Sequence, residues 1–137
     1  MVFALLLFGA GCGFPNHAER KYLAKIYGSS PNIRVPQSQF DTAWSRAKWF
    51  VSTYASRPIV VMNDSLITTD TTKPTDFERL IFFTPFYVHR EDYEVTAHYI
   101  PAGMLIRAFC WRDEHNSDIL VDYIKTGSLP YPELISK

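Results

Sequence analysis

The longest periodic signal in the chain lies at residues 39–55. There Phe40, Ala43, Trp44, Ala47, Phe50, Val51 and Tyr54 recur at the three- and four-residue spacing of one helix face. Ser38 stands where it can cap this helix and Asp41 takes the capping-box position, so the pattern predicts an amphipathic helix with a buried stripe. Ser45, Arg46, Lys48 and Ser52 fall on other faces, and Trp49 falls at the border of the stripe. After Arg57-Pro58 the period shortens toward two. Runs 59–62 and 66–69 flank Asn63-Asp64, which is either a turn between two short strands or, the favoured reading, a bulge within one long strand. A strand is expected at 79–89, apolar on both alternations, with Pro85 marking an edge or a bulge, and a charged turn at 89–92 follows it. Over 93–100, Tyr93, Val95, Ala97 and Tyr99 alternate with Glu94, Thr96 and His98, which gives one core face and one wet face. Pro101-Ala102-Gly103 then turns the chain into 104–112 as the antiparallel partner. On that strand Met104, Ile106, Ala108 and Cys110 share one face, and Leu105, Arg107, Phe109 and Trp111 the other. A second helix at 118–126, capped by Asn116 or Ser117 and stopped by Gly127, buries Ile119, Leu120, Tyr123 and Ile124.

Upstream of these elements, Asn16 and Glu19 form a capping box, and Ala18, Tyr22, Leu23, Ile26 and Tyr27 fall on one side of a short helix that Gly28 ends. Its short stripe and mixed charges (Glu19, Arg20, Lys21, Lys25) favour packing on its own domain over a patch that lies on a membrane or docks a partner. Residues 28–37 are turn-rich and read as a linker. The chain thus divides into a leader at 1–11, a tether with a short helix at 12–37, a folded domain at 38–127 and an extended tail at 128–137. Two amphipathic helices need an apolar surface and the alternating strands offer one. The expected fold is α+β in two layers: an antiparallel sheet of about four strands, with an N-terminal and a C-terminal helix on one face.

The first residues carry an address. Residues 2–8 are apolar, long enough for the core of a signal peptide and far short of the roughly 20 residues that span a bilayer. They break into Gly9, Ala10 and Gly11 immediately before Cys12. This arrangement resembles the lipobox of bacterial lipoproteins, which implies cleavage before Cys12 and a lipid on its thiol. Ala43-Trp44, the aromatic strands and Tyr123-Ile124-Lys125-Thr126-Gly127 are likewise similar to small bacterial lipoproteins. The resemblance implies a location in the cell envelope, anchored to the membrane through Cys12. Gly13, where lipoproteins retained at the inner membrane often carry Asp, implies the outer membrane, facing the periplasm.

Composition narrows the function classes. Of 137 residues, 14 are Lys or Arg and 14 are Asp or Glu, a balance that argues against a nucleic-acid surface or a polybasic membrane patch. Aromatic residues make up 15%, which suits strands and a core of large flat side chains. With Cys12 acylated, the second cysteine, Cys110, has no intramolecular partner, and its row of apolar neighbours marks it as buried.

The four histidines, His17, His89, His98 and His115, show no metal-ligand spacing, so no metal or other cofactor is expected. Cys110, Asp113, Glu114 and His115, with His98, crowd one strand end, yet alternate strand residues face opposite ways; the group reads as a buried thiol and a solvated turn. Nothing marks a catalytic residue. Two functions remain. One is a non-enzymatic accessory surface for an envelope protein partner, for which an exposed patch of Trp49, Phe109 and Trp111 is the candidate interface. The alternative, by analogy of element order with helix-grip domains, is a binder of a small apolar ligand such as a lipid in a cavity between helix and sheet.

Overall fold

A computed structural model describes residues 13–70 and 92–136. The apolar run at 2–8, Cys12 and the strand expected at 79–89 lie outside the described residues. The fold is α+β, and the described residues form three helices and five antiparallel strands.

Helix α1, His17–Ile26, opens with the expected capping box: the Glu19 amide donates to Asn16 Oδ1 (2.9 Å) and the Asn16 amide to Glu19 Oε2 (3.1 Å). Strand β1, Asn32–Val35, follows. Helix α2, Phe40–Tyr54, buries six of the seven stripe residues, and Tyr54 is half-buried. Strands β2 (Ile59–Met62), β3 (Leu66–Thr69), β4 (Tyr93–Ile100) and β5 (Gly103–Cys110) complete the sheet. Helix α3, Glu114–Thr126, closes the core, and a short 3-10 turn, Pro132–Leu134, lies in the tail.

The strand order is β1-β5-β4-β3-β2, so the first strand joins the last. Register places Ile33 opposite Ile106, Ile106 opposite Ala97, Val95 opposite Ala108 and Ile67 opposite Val95. These side chains form one continuous apolar surface, and α2 and α3 lie upon it. Phe50, fully buried, joins the layers: its ring lies 4.9 Å from Tyr54, 5.9 Å from Tyr93 on β4 and 5.9 Å from Tyr123 on α3. Burying one such aromatic contributes about 1.5–3 kcal/mol, before its ring pairs are counted.

Several elements differ from the sequence reading, each for a local reason. No side chain caps α2. Ser38 instead lies within a 3-10 turn, Gln37–Gln39, that feeds directly into the helix. Asn63-Asp64 is a turn between two strands and not a bulge in one, because Asn63 Oδ1 accepts the amides of Ser65 and Leu66 (both 2.9 Å) and so closes the reversal. The register does shift, but earlier, between Ile59 and Val61.

The linker expected at 28–37 contains β1, which needs only Ile33 and Val35 on the core side. Four residues between Pro31 and Pro36 carry too little pattern to show it. Helix α1 packs on its own domain, as its short stripe of mixed charge favours: Ile26 is buried, Tyr22 Oη donates to Asp122 Oδ2 (2.8 Å), and α1 packs on α3.

Helix α3 begins at Glu114 rather than 118, since Asp113 is its cap and accepts the amides of His115 (2.8 Å) and Asn116 (3.2 Å). Asn116, expected as a cap, is a fully buried member of the helix. The tail is not simply extended either, for Ile135 packs into the core and Ser136 bonds to Asn116.

Gly103 shows how tightly β1 is seated. Its φ is +142°, and a Cβ there would come within 2.4 Å of the Val35 carbonyl oxygen. Only glycine lets the β4–β5 hairpin turn against the end of β1.

Trp44 is 3% exposed and its Nε1 donates to the Asn63 carbonyl (2.8 Å), so it both fills the core and ties α2 to the β2–β3 turn. Trp44→Ala is expected to cost about 3–5 kcal/mol in denaturant melts, whereas exposed Ser45→Ala stays within about 0.5 kcal/mol. Equal stability of the two variants would refute the buried face assigned to α2.

Candidate functional site

Where the two layers part, at the end of the sheet reached by the β2–β3 turn and the far half of β4, they leave a concavity of about 620 Å³. Its floor is apolar: Phe40 and Trp44 from α2, Ala97 from β4 and Met104 from β5. Phe40 and Trp44 stack with ring centroids 5.7 Å apart. Its rim is polar, with Asp41, Lys48, Asp64 and His98. Lys48 and Asp64 approach to 3.7 Å, an exposed pair of little energetic weight. Tyr99 stands on the lip, 79% exposed.

The sequence assigns Tyr99 to the core row of β4. Its row-mates Tyr93, Val95 and Ala97 are buried, but the helix layer stops short of the hairpin end and leaves Tyr99 in solvent. Strand alternation reports the face of a residue and not whether anything covers it. That is why the sequence reading, which offered a cavity between helix and sheet as its alternative, did not place Tyr99 at its lip.

At the opposite end of the sheet lies a buried polar cluster. Asp92, expected in a charged turn, is fully buried; Arg112 Nε donates to its Oδ1 (2.5 Å), and the Ser56 amide (2.7 Å) and hydroxyl (3.0 Å) donate to its Oδ2. The Asp92 amide donates to Thr69 Oγ1 (2.9 Å). Asn116 donates from Nδ2 to Tyr93 Oη (3.2 Å) and to the Ser136 carbonyl (2.8 Å), and its Oδ1 accepts the Ser136 amide (3.0 Å). Among the described residues, no buried side-chain nitrogen or oxygen lacks a partner. Every polar group of this cluster is turned inward on another, which suits a structural clamp.

Cys110 closes this end of the core. Burial pushes its thiol pKa up, and Ser117 holds its backbone, accepting the Cys110 amide (2.6 Å) and donating to its carbonyl (3.0 Å). Burial also raises the Tyr93 phenol. For Asp113, burial works to raise the carboxyl, but hydrogen bonds from Ser136 and from the amides of Asn116 and His115 hold it below the ordinary carboxylate range.

The structure separates residues that the sequence crowds together. Cys110 lies opposite Tyr93 on the buried face of the sheet, while His98 lies opposite Leu105, is exposed and belongs to the alternation that faces away from the core. Among the described residues, no three His, Cys, Asp or Glu side chains are placed to hold a metal, and no helix is long and apolar enough to cross a membrane.

The candidate interface is also split. Trp49, 47% exposed, stays on the helix layer beside Tyr123 (5.3 Å) and Tyr54 (6.0 Å). Phe109 and Trp111 stack 5.0 Å apart on the far side of the sheet, where the Arg107 guanidinium lies 4.9 Å from the Phe109 ring and Trp111 Nε1 donates to Glu94 (3.0 Å). These are two patches on opposite layers and not one.

No protein-family model, curated protein or solved structure matches the chain.

Two measurements check this chemistry. In a Cys12→Ala variant, a thiol reagent is expected to modify Cys110 only on unfolding; fast reaction of the native protein would contradict its burial. Asp113→Ala is expected to cost about 1–2 kcal/mol at neutral pH through loss of the helix cap. A carboxyl whose folded pKa is depressed stabilises above its unfolded pKa, and that stabilisation is lost as pH falls through the folded value. Denaturant melts of wild type and variant should therefore converge as the pH falls through the depressed folded pKa of Asp113, and a constant gap would refute the assignment.

Proposed function

We propose that this chain is a lipid-anchored protein of the bacterial cell envelope that works as a non-enzymatic accessory surface for a protein partner. The anchoring half of the reading is supported by the apolar run at 2–8 and the Gly9-Ala10-Gly11-Cys12 ending, which favour an outer-membrane lipoprotein facing the periplasm. The partner half is carried by one observation. Tyr99 stands 79% exposed near the hairpin end of β4, at the lip of a groove with an aromatic floor. A large amphipathic ring beside a concavity is the arrangement that recurs at the centres of protein interfaces. The layers behind the groove are filled by fully buried Phe50, Val95, Ile106 and Ile119, so a partner would be gripped at the mouth and not swallowed.

The apolar floor of Phe40, Trp44, Ala97 and Met104 favours a second reading, in which the groove holds a small apolar ligand such as a lipid chain. The polar rim and the open mouth weigh against it.

One experiment in cells addresses both halves. A photo-crosslinking amino acid at Tyr99 is expected to yield a discrete protein adduct, while the same group at exposed Ser52 on α2 yields none. A lipid adduct in place of a protein would select the second reading, and adducts at neither position would refute both. Labelled palmitate should enter the wild type and be lost in Cys12→Ala; equal labelling, or none in either, would refute the anchor.

A further inference from the structure

Strand β1 is an edge of the sheet, and its backbone alternation can be assigned. The Ala108 amide donates to the Pro31 carbonyl (3.0 Å), in step with the register that pairs Ile33 with Ile106 and Val35 with Met104. In an antiparallel ladder this alternation turns the N–H and C=O of Ile33 and Val35 toward β5 and those of Asn32 and Arg34 toward the open side. Among the described residues no strand lies on that side. The Asn32 amide finds Ser30 Oγ at 3.3 Å, a long bond that a better acceptor can displace. The amide and carbonyl of Arg34 face water, and the residue is exposed.

This edge borders a groove of about 550 Å³, lined by Ser30, Asn32, Arg34 and Val35 on the strand side and by Gln39 and Lys125 on the helix side. No carboxylate lines it. Arg34, on the alternation that faces away from the core, and Lys125, in the last turn of α3, flank the open edge, and neither is ion-paired among the described residues. The carbonyls of Ile124 and Lys125, which would otherwise repel an anion at this helix end, are covered by Arg46 Nη1 at 3.1 and 3.4 Å. The chain as a whole carries balanced charge, but this groove is locally cationic.

We propose that the open edge of β1 accepts an extended acidic segment of a partner protein as a sixth strand, with neighbouring carboxylates of that segment meeting Arg34 and Lys125. The backbone groups of Asn32 and Arg34 supply the ladder, and the two cations select the sequence. Successive side chains of an added strand point to opposite faces. A pair of adjacent acidic residues would therefore place one carboxylate toward Arg34 and the other toward Lys125. Pro36 carries no amide and ends the ladder, so the docked segment is short and the affinity modest. The inference rests on the reading of the chain as a partner-binding surface but concerns a different face from the Tyr99 groove.

The test is fluorescence anisotropy on the full chain with three labelled peptides. One has β-branched flanks around a central Glu-Glu, the second carries Lys-Lys in its place, and the third is the Glu-Glu peptide with its central amides methylated. The Glu-Glu peptide is expected to bind and to weaken with added salt. Its affinity should fall about tenfold or more for Arg34→Glu with Lys125→Glu, and for the methylated peptide, while Arg34→Lys keeps most of it. No binding of the Glu-Glu peptide, equal binding of the Lys-Lys peptide or indifference to methylation would each overturn strand addition. Circular dichroism of the doubly substituted chain separates lost binding from lost folding. A crosslinked protein at Tyr99 with no peptide binding here would reject this inference and leave the partner-surface reading standing.

Discussion

Asp92 is a carboxylate with no access to water, and removing such a charge from solvent costs several kcal/mol unless the protein replaces its hydration shell. The replacement is complete and comes from distant parts of the chain. Ser56 reaches it from the exit of α2, Arg112 from just beyond β5, and Thr69 takes its amide at the end of β3. The Asp92 carbonyl in turn accepts the Trp111 amide (3.0 Å). Arg112 then reaches the Ser136 carbonyl with its second nitrogen (2.9 Å), which carries the constraint into the tail. Any shift of α2, the sheet or the tail would strand a buried charge, so the helix layer and the strands are fixed in one relation. The groove at the other end of the sheet inherits its shape from that fixed relation.

The parts of this fold that were legible in the sequence are those whose signal is local. The stripe on α2, the alternation of β4 and β5, the Asn16–Glu19 capping box and the αL turn at Gly127 all depend on residues a few positions apart. What escaped depends on contacts across the chain. Nothing near Asp92 says that Arg112 will pair with its charge and Ser56 hydrogen-bond it, so it reads as surface. Asn116 looks like a cap because asparagine caps helices, yet the tail supplies the partners that let it sit in the core. Strand β1 hides between two prolines for the same reason: its evidence of strandness is β5, not itself. A cavity between helix and sheet was foreseen, but its place was not, because the alternation that puts Tyr99 with Tyr93 carries no record of where the helix layer ends.

Exposed strand edges are hazards that proteins manage by shortness, charge, proline and bulges. Both edges of the sheet that the described residues form show such devices. Strand β1 has four residues, with Arg34 inside and prolines on both flanks, and β2 is preceded by Pro58 and broken by its register shift. The result on β1 is an edge too short to seed indefinite stacking but long enough for one brief, charge-selected segment.

The strand order also sets a timetable. Strand β1 pairs with β5 and α1 packs on α3, so the first described elements find their partners only in the last. As the chain is made from its N-terminus, α1 and β1 wait without a binding surface until Cys110 and α3 exist. A ten-residue helix and a four-residue strand are each too short to persist alone in water. Loops that close over such separations form slowly. The sheet is therefore completed late, because its first strand has no neighbour until β5 has been made.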